Sequence, residues 1–165
     1  MTEKAWIPSY PPGVTEDIEM SEYPSIREIF ERSCERFAEN TAFSNLGTAL
    51  SYGRLNALTR DFGAYLQSLP GMKKGDRVAL MMPNTLQYPI AMLGAIRAGF
   101  VVVNINPLYT SRELEAQLKD ADAKAIVVLE NFGATLQECL ARTPIKHVVL
   151  CAMGDRLGWL KGTLV

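Results

Sequence analysis

From Arg77 onward, short apolar runs alternate with helical stretches, and few folds accept that rhythm. The runs cover residues 78–82, 100–105, 125–129 and 147–151, and the later three are rich in Val and Ile. Between them, residues 86–98, 112–121 and 132–141 show apolar residues at helical spacing. A strand that is apolar throughout is buried on both faces, and helices between successive strands call for parallel pairing with right-handed crossovers. The pattern predicts an α/β fold: an open, doubly wound, largely parallel sheet with flanking helices.

The junctions agree. Gly99 stands where a helix must turn into a strand. Thr110-x-x-Glu113 has the form of a capping box, and Asn131 is placed to cap the third helix. Pro89 is the discord, because it would break the hydrogen-bond ladder of a helix begun at Asn84. It sets the start nearer Tyr88, or else kinks the helix.

Upstream, Ser25-x-x-Glu28 predicts a second capping box, followed by Ile26, Ile29, Phe30, Cys34 and Phe37 as one buried stripe. A short strand is expected at Thr41–Asn45 and a turn at Gly47. Ser51 then opens a helix with Leu55, Leu58, Phe62, Leu66 and Leu69 on its core face, ended by Pro70-Gly71. Residues 1–24 form an extended amino-terminal arm, since Pro8, Pro11, Pro12 and Pro24 disfavour regular helix. Its Trp6, Ile7, Tyr10 and Tyr23 need cover, either from the arm's own domain or from a second subunit. Residues 25–165 are read as the α/β portion.

A chain of 165 residues suits one globular domain, and its 48% hydrophobic content is that of a folding sequence. Seventeen basic residues stand against eighteen acidic ones. Such a balance gives no concentrated basic surface for nucleic acid. The three cysteines, Cys34, Cys139 and Cys151, are too far apart for a CxxC pair and odd in number. A reducing, cytoplasmic compartment follows as the simplest expectation. The first residues include Glu3, Lys4 and Pro8 and form no leader-like apolar segment, and no apolar run reaches bilayer length. Peripheral contact with the inner membrane stays open.

Catalytic groups are scarce. The single histidine, His147, falls in an apolar run, where a lone imidazole is more often a packed core residue than a base or ligand. No second histidine or cysteine at ligand spacing supports a zinc site. The segment 94–99, Gly-Ala-Ile-Arg-Ala-Gly, has P-loop glycine spacing, but Phe100-Val101 stand where Lys and Ser/Thr belong. It also runs from helix into strand, the reverse of the order that aims helix amides at a phosphate. The remaining polar candidates are Asn84, Asn104, Asn106 and Glu130, at expected carboxyl ends of strands, where open α/β sheets bind ligands. Asparagine there is also a common turn former. The small residues Ala91, Gly94, Ala95 and Ala98 permit close helix–sheet packing or could border a channel for an apolar chain.

Several strings carry a family resemblance. The stretch 50–55, Leu-Ser-Tyr-Gly-Arg-Leu, resembles the first core motif of the adenylate-forming enzymes, and 75–80, Gly-Asp-Arg-Val-Ala-Leu, a following segment. The stretch 96–107, Ile-Arg-Ala-Gly-Phe-Val-Val-Val-Asn-Ile-Asn-Pro, resembles the second core motif. Within that superfamily the strings 73–84, 87–89 and 104–110, followed by Arg112-Glu-Leu114, are similar to those of bacterial long-chain fatty-acid–CoA ligases. The resemblance spans almost the whole chain. It implies the amino-terminal part of an enzyme that activates a fatty acid with ATP and Mg²⁺, then passes the acyl group to coenzyme A. It also implies a homodimer formed through the amino-terminal region. The family's Ser/Thr/Gly-rich phosphate loop, adenine and ribose motifs and distal lysine have no counterpart in residues 1–165. No catalytic, cofactor-binding or metal residue is therefore assigned, and these residues alone are expected to be inactive; the alternatives are a free-standing, non-catalytic binding module of the same fold and a ligase for a different carboxylic acid.

Overall fold

The computed structural model describes residues 4–18 and 21–157. Residues 1–3 and 19–20 of the expected arm, and 158–165 of the α/β portion, lie outside them. Along the described part of the arm, Trp6, Val14 and Ile18 are exposed, and Lys4 pairs with Asp17 at 2.6 Å.

Ser25 Oγ accepts from the Glu28 amide at 3.1 Å and opens α1 (Ile26–Arg36). Only this half of the expected box forms, because the Glu28 carboxylate turns to Arg32 one helical turn on. The stripe is also narrower than expected. Phe30 and Cys34 are buried, whereas Ile26, Ile29 and Phe37 are exposed. Ile29 is turned roughly 100° from Phe30, and Ile26 and Phe37 border the helix ends. Arg97 joins α1 to its neighbours: Nε pairs with Glu31 at 3.2 Å, and Nη1 donates to the Asn56 side chain at 2.6 Å.

Strands β1 (Thr41–Asn45) and β2 (Thr48–Ser51) form an antiparallel hairpin across Leu46-Gly47. Both turn residues have positive φ, 48° and 70°, as a type I′ turn requires. The second strand is an addition to the sequence-based expectation. Ser51 Oγ then accepts from the Arg54 amide and opens α2 (Tyr52–Ser68), which buries Leu55 and Leu66 completely.

The main sheet contains β3 (Arg77–Met81), β4 (Val101–Asn104), β5 (Ala123–Leu129) and β6 (His147–Cys151), in the order β4-β3-β5-β6, all parallel. The connecting helices are α3 (Gln87–Arg97), α4 (Ser111–Asp120) and α5 (Gly133–Cys139). The chain steps from β3 to one side, then back across it to the other, so right-handed crossovers must place α3 opposite α4 and α5. The core agrees. Val78, Leu80, Ala125 and Val127 pack with Leu66, Ala91 and Ala95 on one face. On the other, Ala79, Met81, Ile126 and Val128 meet Leu114, Leu118 and Leu136. This is the doubly wound, parallel α/β layer that the alternation predicts.

Pro89 is the third residue of α3, where a backbone N–H would have no partner within the helix, so no ladder bond is lost. Gly99, at φ 85°, closes α3 with a Schellman pair: Phe100 N donates to Ala95 O and Gly99 N to Ile96 O. A Cβ on Gly63 would lie 2.9 Å from Gly94 O and 3.4 Å from Ala98 Cβ, so those two small residues admit α2, while Ala91 and Ala95 pack with the sheet residues Val78, Leu80, Ala125 and Val127.

Three further expectations are corrected. Runs 100–105 and 147–151 form the two edge strands, so Val101, Val148 and Leu150 are exposed instead of buried on both faces. His147 is therefore only half-buried, and its Nε2 lies 2.9 Å from the Pro70 carbonyl oxygen. Asn131 does not cap α5; it lies inside a 3₁₀ turn, Glu130–Phe132, that precedes the helix.

Candidate functional site

In a sheet wound to both sides, the exits of β3 and β5 diverge, and the crevice between them is the customary ligand position. The turns of residues 82–86, 105–110 and 130–132 line this carboxyl edge. All four polar candidates sit there, but the structure does not gather them into one cluster. Asn84 is exposed, and its carbonyl accepts from Asn45 Nδ2 at 3.2 Å. Asn106 Oδ1 accepts from Leu108 N at 3.0 Å, an Asx turn that shapes its own loop. Glu130 is exposed in the 3₁₀ turn.

Asn104 does more. Its Oδ1 accepts from the Tyr88 hydroxyl at 3.0 Å, while its carbonyl accepts from Gln117 Nε2 at 3.1 Å. The end of β4 is thus tied to α3 on one face and α4 on the other. Its neighbour Gln87, 7% exposed, makes the equivalent tie to the far edge. Its Nε2 donates to Ala152 O at 2.7 Å and Met153 O at 3.3 Å, both in the turn that leaves β6. Reasoning from the sequence did not assign either role to Gln87 or Tyr88. The available signal was a pair of polar side chains opening an otherwise apolar helix.

Clefts flank the first turn of α3. One of about 270 Å³ is walled by Phe43, Asn45, Asn84, Leu86, Tyr88 and Pro89. Another, of about 260 Å³, has Leu50, Leu58, Leu86 and Ile90 with Arg54 and Arg156.

These strand-end turns do not fit a magnesium triphosphate. Residues 82–86, 105–110 and 130–132 include no lysine, arginine or glycine, so neither a cation nor an unhindered amide nest faces the edge from them. Among the described residues, no three His, Cys, Asp or Glu side chains stand close enough to hold a metal. The thiols are equally unsuited to attack. Burial pushes Cys34, Cys139 and Cys151 up, and the Asp155 carboxylate raises Cys151 further. What these three turns offer is placement, tied to their neighbours by Tyr88, Asn104 and Gln87; the turn after β6 adds one glycine, Gly154, and one arginine, Arg156.

The model of the AMP-binding enzyme family matches residues 30–164. A long-chain-fatty-acid–CoA ligase of Yersinia pestis is 51% identical over 99% of this chain, and that of Escherichia coli O157:H7 is 50% identical over the same share. The chain spans 29% of the length of each of these relatives. Among solved structures, an anthranilate CoA ligase in complex with anthranoyl-AMP superposes with a TM-score of 0.76 at 22% identity, over 81% of this chain and 27% of that one.

Proposed function

This chain belongs to the AMP-binding enzyme family, and from that premise we propose that it is the amino-terminal portion of a long-chain-fatty-acid–CoA ligase. The observation that carries the reading is the 51% identity to one such ligase over 99% of this chain.

In the proposed reaction, a fatty-acid carboxylate oxygen attacks the α-phosphorus of ATP, and pyrophosphate leaves. The thiolate of coenzyme A then attacks the acyl carbon, and AMP leaves to give the thioester. A free carboxylate is a poor acyl donor because its leaving group would be an oxide, so the adenylate step precedes transfer. Mg²⁺ would neutralise phosphate charge in the whole enzyme, with no step routed through residues described here. These residues supply the sheet edge and fix its turns; in this reading the phosphate-binding groups stand in the part of the whole enzyme that residues 1–165 do not include. Residues 1–165 alone are therefore inactive in this reading. Residues 1–24 act as an arm and residues 25–165 as the first part of the adenylation domain.

The same reading carries a homodimer formed through the amino-terminal region and a cytoplasmic enzyme touching the inner membrane peripherally. The exposed Trp6, Val14, Ile18 and Tyr23 support the first. Among the described residues, no helix is long and apolar enough to cross a membrane.

The whole protein tests the proposal in an acyl-CoA assay across carboxylic acids. Long-chain fatty acids should react faster than short or aromatic acids. A preference for an aryl or dicarboxylic acid would sink the substrate assignment. Light scattering with and without residues 1–24 tests the dimer, and an unchanged mass on truncation would count against the arm.

A further inference from the structure

Gln87 sits in the first turn of α3, buried to 7% exposure, with its amide spent on backbone far away in sequence. Its Nε2 reaches Ala152 O at 2.7 Å and Met153 O at 3.3 Å. The turn it holds is also closed from within. Asp155 Oδ2 accepts from Ala152 N at 2.8 Å, and Asp155 N donates back to Ala152 O at 3.2 Å. This turn leaves the edge strand β6 and brings Asp155 and Arg156 into the walls of clefts beside α2 and α3. Gln87 itself lines the smaller of these clefts.

We propose that Gln87 is a positioning residue for the ligase reaction. Its amide sets the direction in which the chain leaves β6, and so the placement of the following residues against the ligand-binding edge of the sheet. The inference rests on the ligase reading. It is chemically specific: the task needs a donor of this length facing two carbonyl oxygens. Leucine fills comparable space with no donor. Glutamate has the same shape, yet its carboxylate only accepts and would face two oxygens. Protonated, it regains one O–H donor; burial, the two carbonyl oxygens and Asp155 in the same cleft raise its titration, against the opposing pull of the exposed Arg156.

The test uses the whole ligase as wild type, Gln87→Leu and Gln87→Glu. Acyl-CoA formation is measured from pH 5.5 to 8.5, with amide hydrogen exchange across residues 152–157. At pH 8 both variants should lose about tenfold in kcat, since Met153 O loses its side-chain donor and Ala152 O keeps only the Asp155 amide. Exchange at Asp155 and Leu157 should quicken while the amides of β3 and β5 stay protected. The ratio of Gln87→Glu to wild-type activity should climb toward one as the pH falls. The Gln87→Leu ratio should stay flat. Packing alone would not produce that contrast, because glutamate and glutamine have the same shape.

A pH-independent Gln87→Glu ratio overturns the proposal, as does wild-type kcat in both variants with exchange accelerated. If Gln87→Leu fails to fold, the pH dependence of Gln87→Glu decides alone. If the wild-type enzyme makes no acyl-CoA, the ligase reading has failed instead, and the exchange result still reports whether Gln87 holds the turn.

Discussion

Leu46 occupies φ 48° at the first central position of the hairpin turn, a conformation in which an L-residue's Cβ crowds its own carbonyl. The residue is 56% exposed. Leu46→Asn, the residue type best suited to that position before glycine, should stabilise the chain by about 0.5–1 kcal/mol. Urea unfolding of both forms measures the change, and a loss of stability would show that leucine makes a contact worth more than the strain. Residue roles set by backbone chemistry were the legible ones. Gly99, Ser25, Ser51 and Thr110 all act at the helix ends where their side-chain chemistry puts them. Asn131 was misread because a 3₁₀ turn intervened before α5, and no local signal separates the two starts. Gln87 was missed because its partners lie 65 and 66 residues away.

Helix α4 shows how a cap is wired. Thr110 N donates to Glu113 Oε2 at 2.9 Å, Thr110 Oγ1 donates to the same oxygen at 2.8 Å, and the Glu113 amide returns to Thr110 Oγ1. The backbone donor of Thr110, then its hydroxyl, hold the Glu113 carboxyl below its usual range. A depressed carboxyl stabilises the fold above its unfolded-state value and loses that contribution as pH falls through the folded value. Glu113→Gln should therefore be less stable than wild type at neutral pH, and the two should converge in acid, as thermal melts at pH 7 and pH 3 would reveal. An unchanged gap at pH 3 would mean that ionisation is not what matters there. At this scale the helices and parallel strands were legible within a residue or two, because periodicity and caps are local. Strand β2 was not: Thr48, Ala49 and Leu50 are too few to show a period before Ser51 opens a helix.

Which strands end the sheet is a property of the whole molecule. The runs 147–151 and 125–129 read alike as sequence, yet β5 is central and β6 is an edge with Leu150 63% exposed. An apolar edge invites pairing with another chain. Leu150→Lys should leave the unfolding midpoint nearly unchanged while lowering self-association of the 165-residue chain in sedimentation velocity. Equal association in both forms would clear this edge as the contact. The candidate site was legible only as a location, the carboxyl edge. The ties across it, Tyr88 to Asn104 and Gln87 to Ala152, depend on tertiary geometry. On the proposed function these residues are scaffold, and the chemistry would come with the rest of the enzyme. Fatty-acid-dependent AMP release, measured on residues 1–165 and on the whole protein in parallel, tests that most directly. None is expected from residues 1–165, and stoichiometric AMP and acyl-CoA from the whole protein. AMP release by residues 1–165 alone would contradict it.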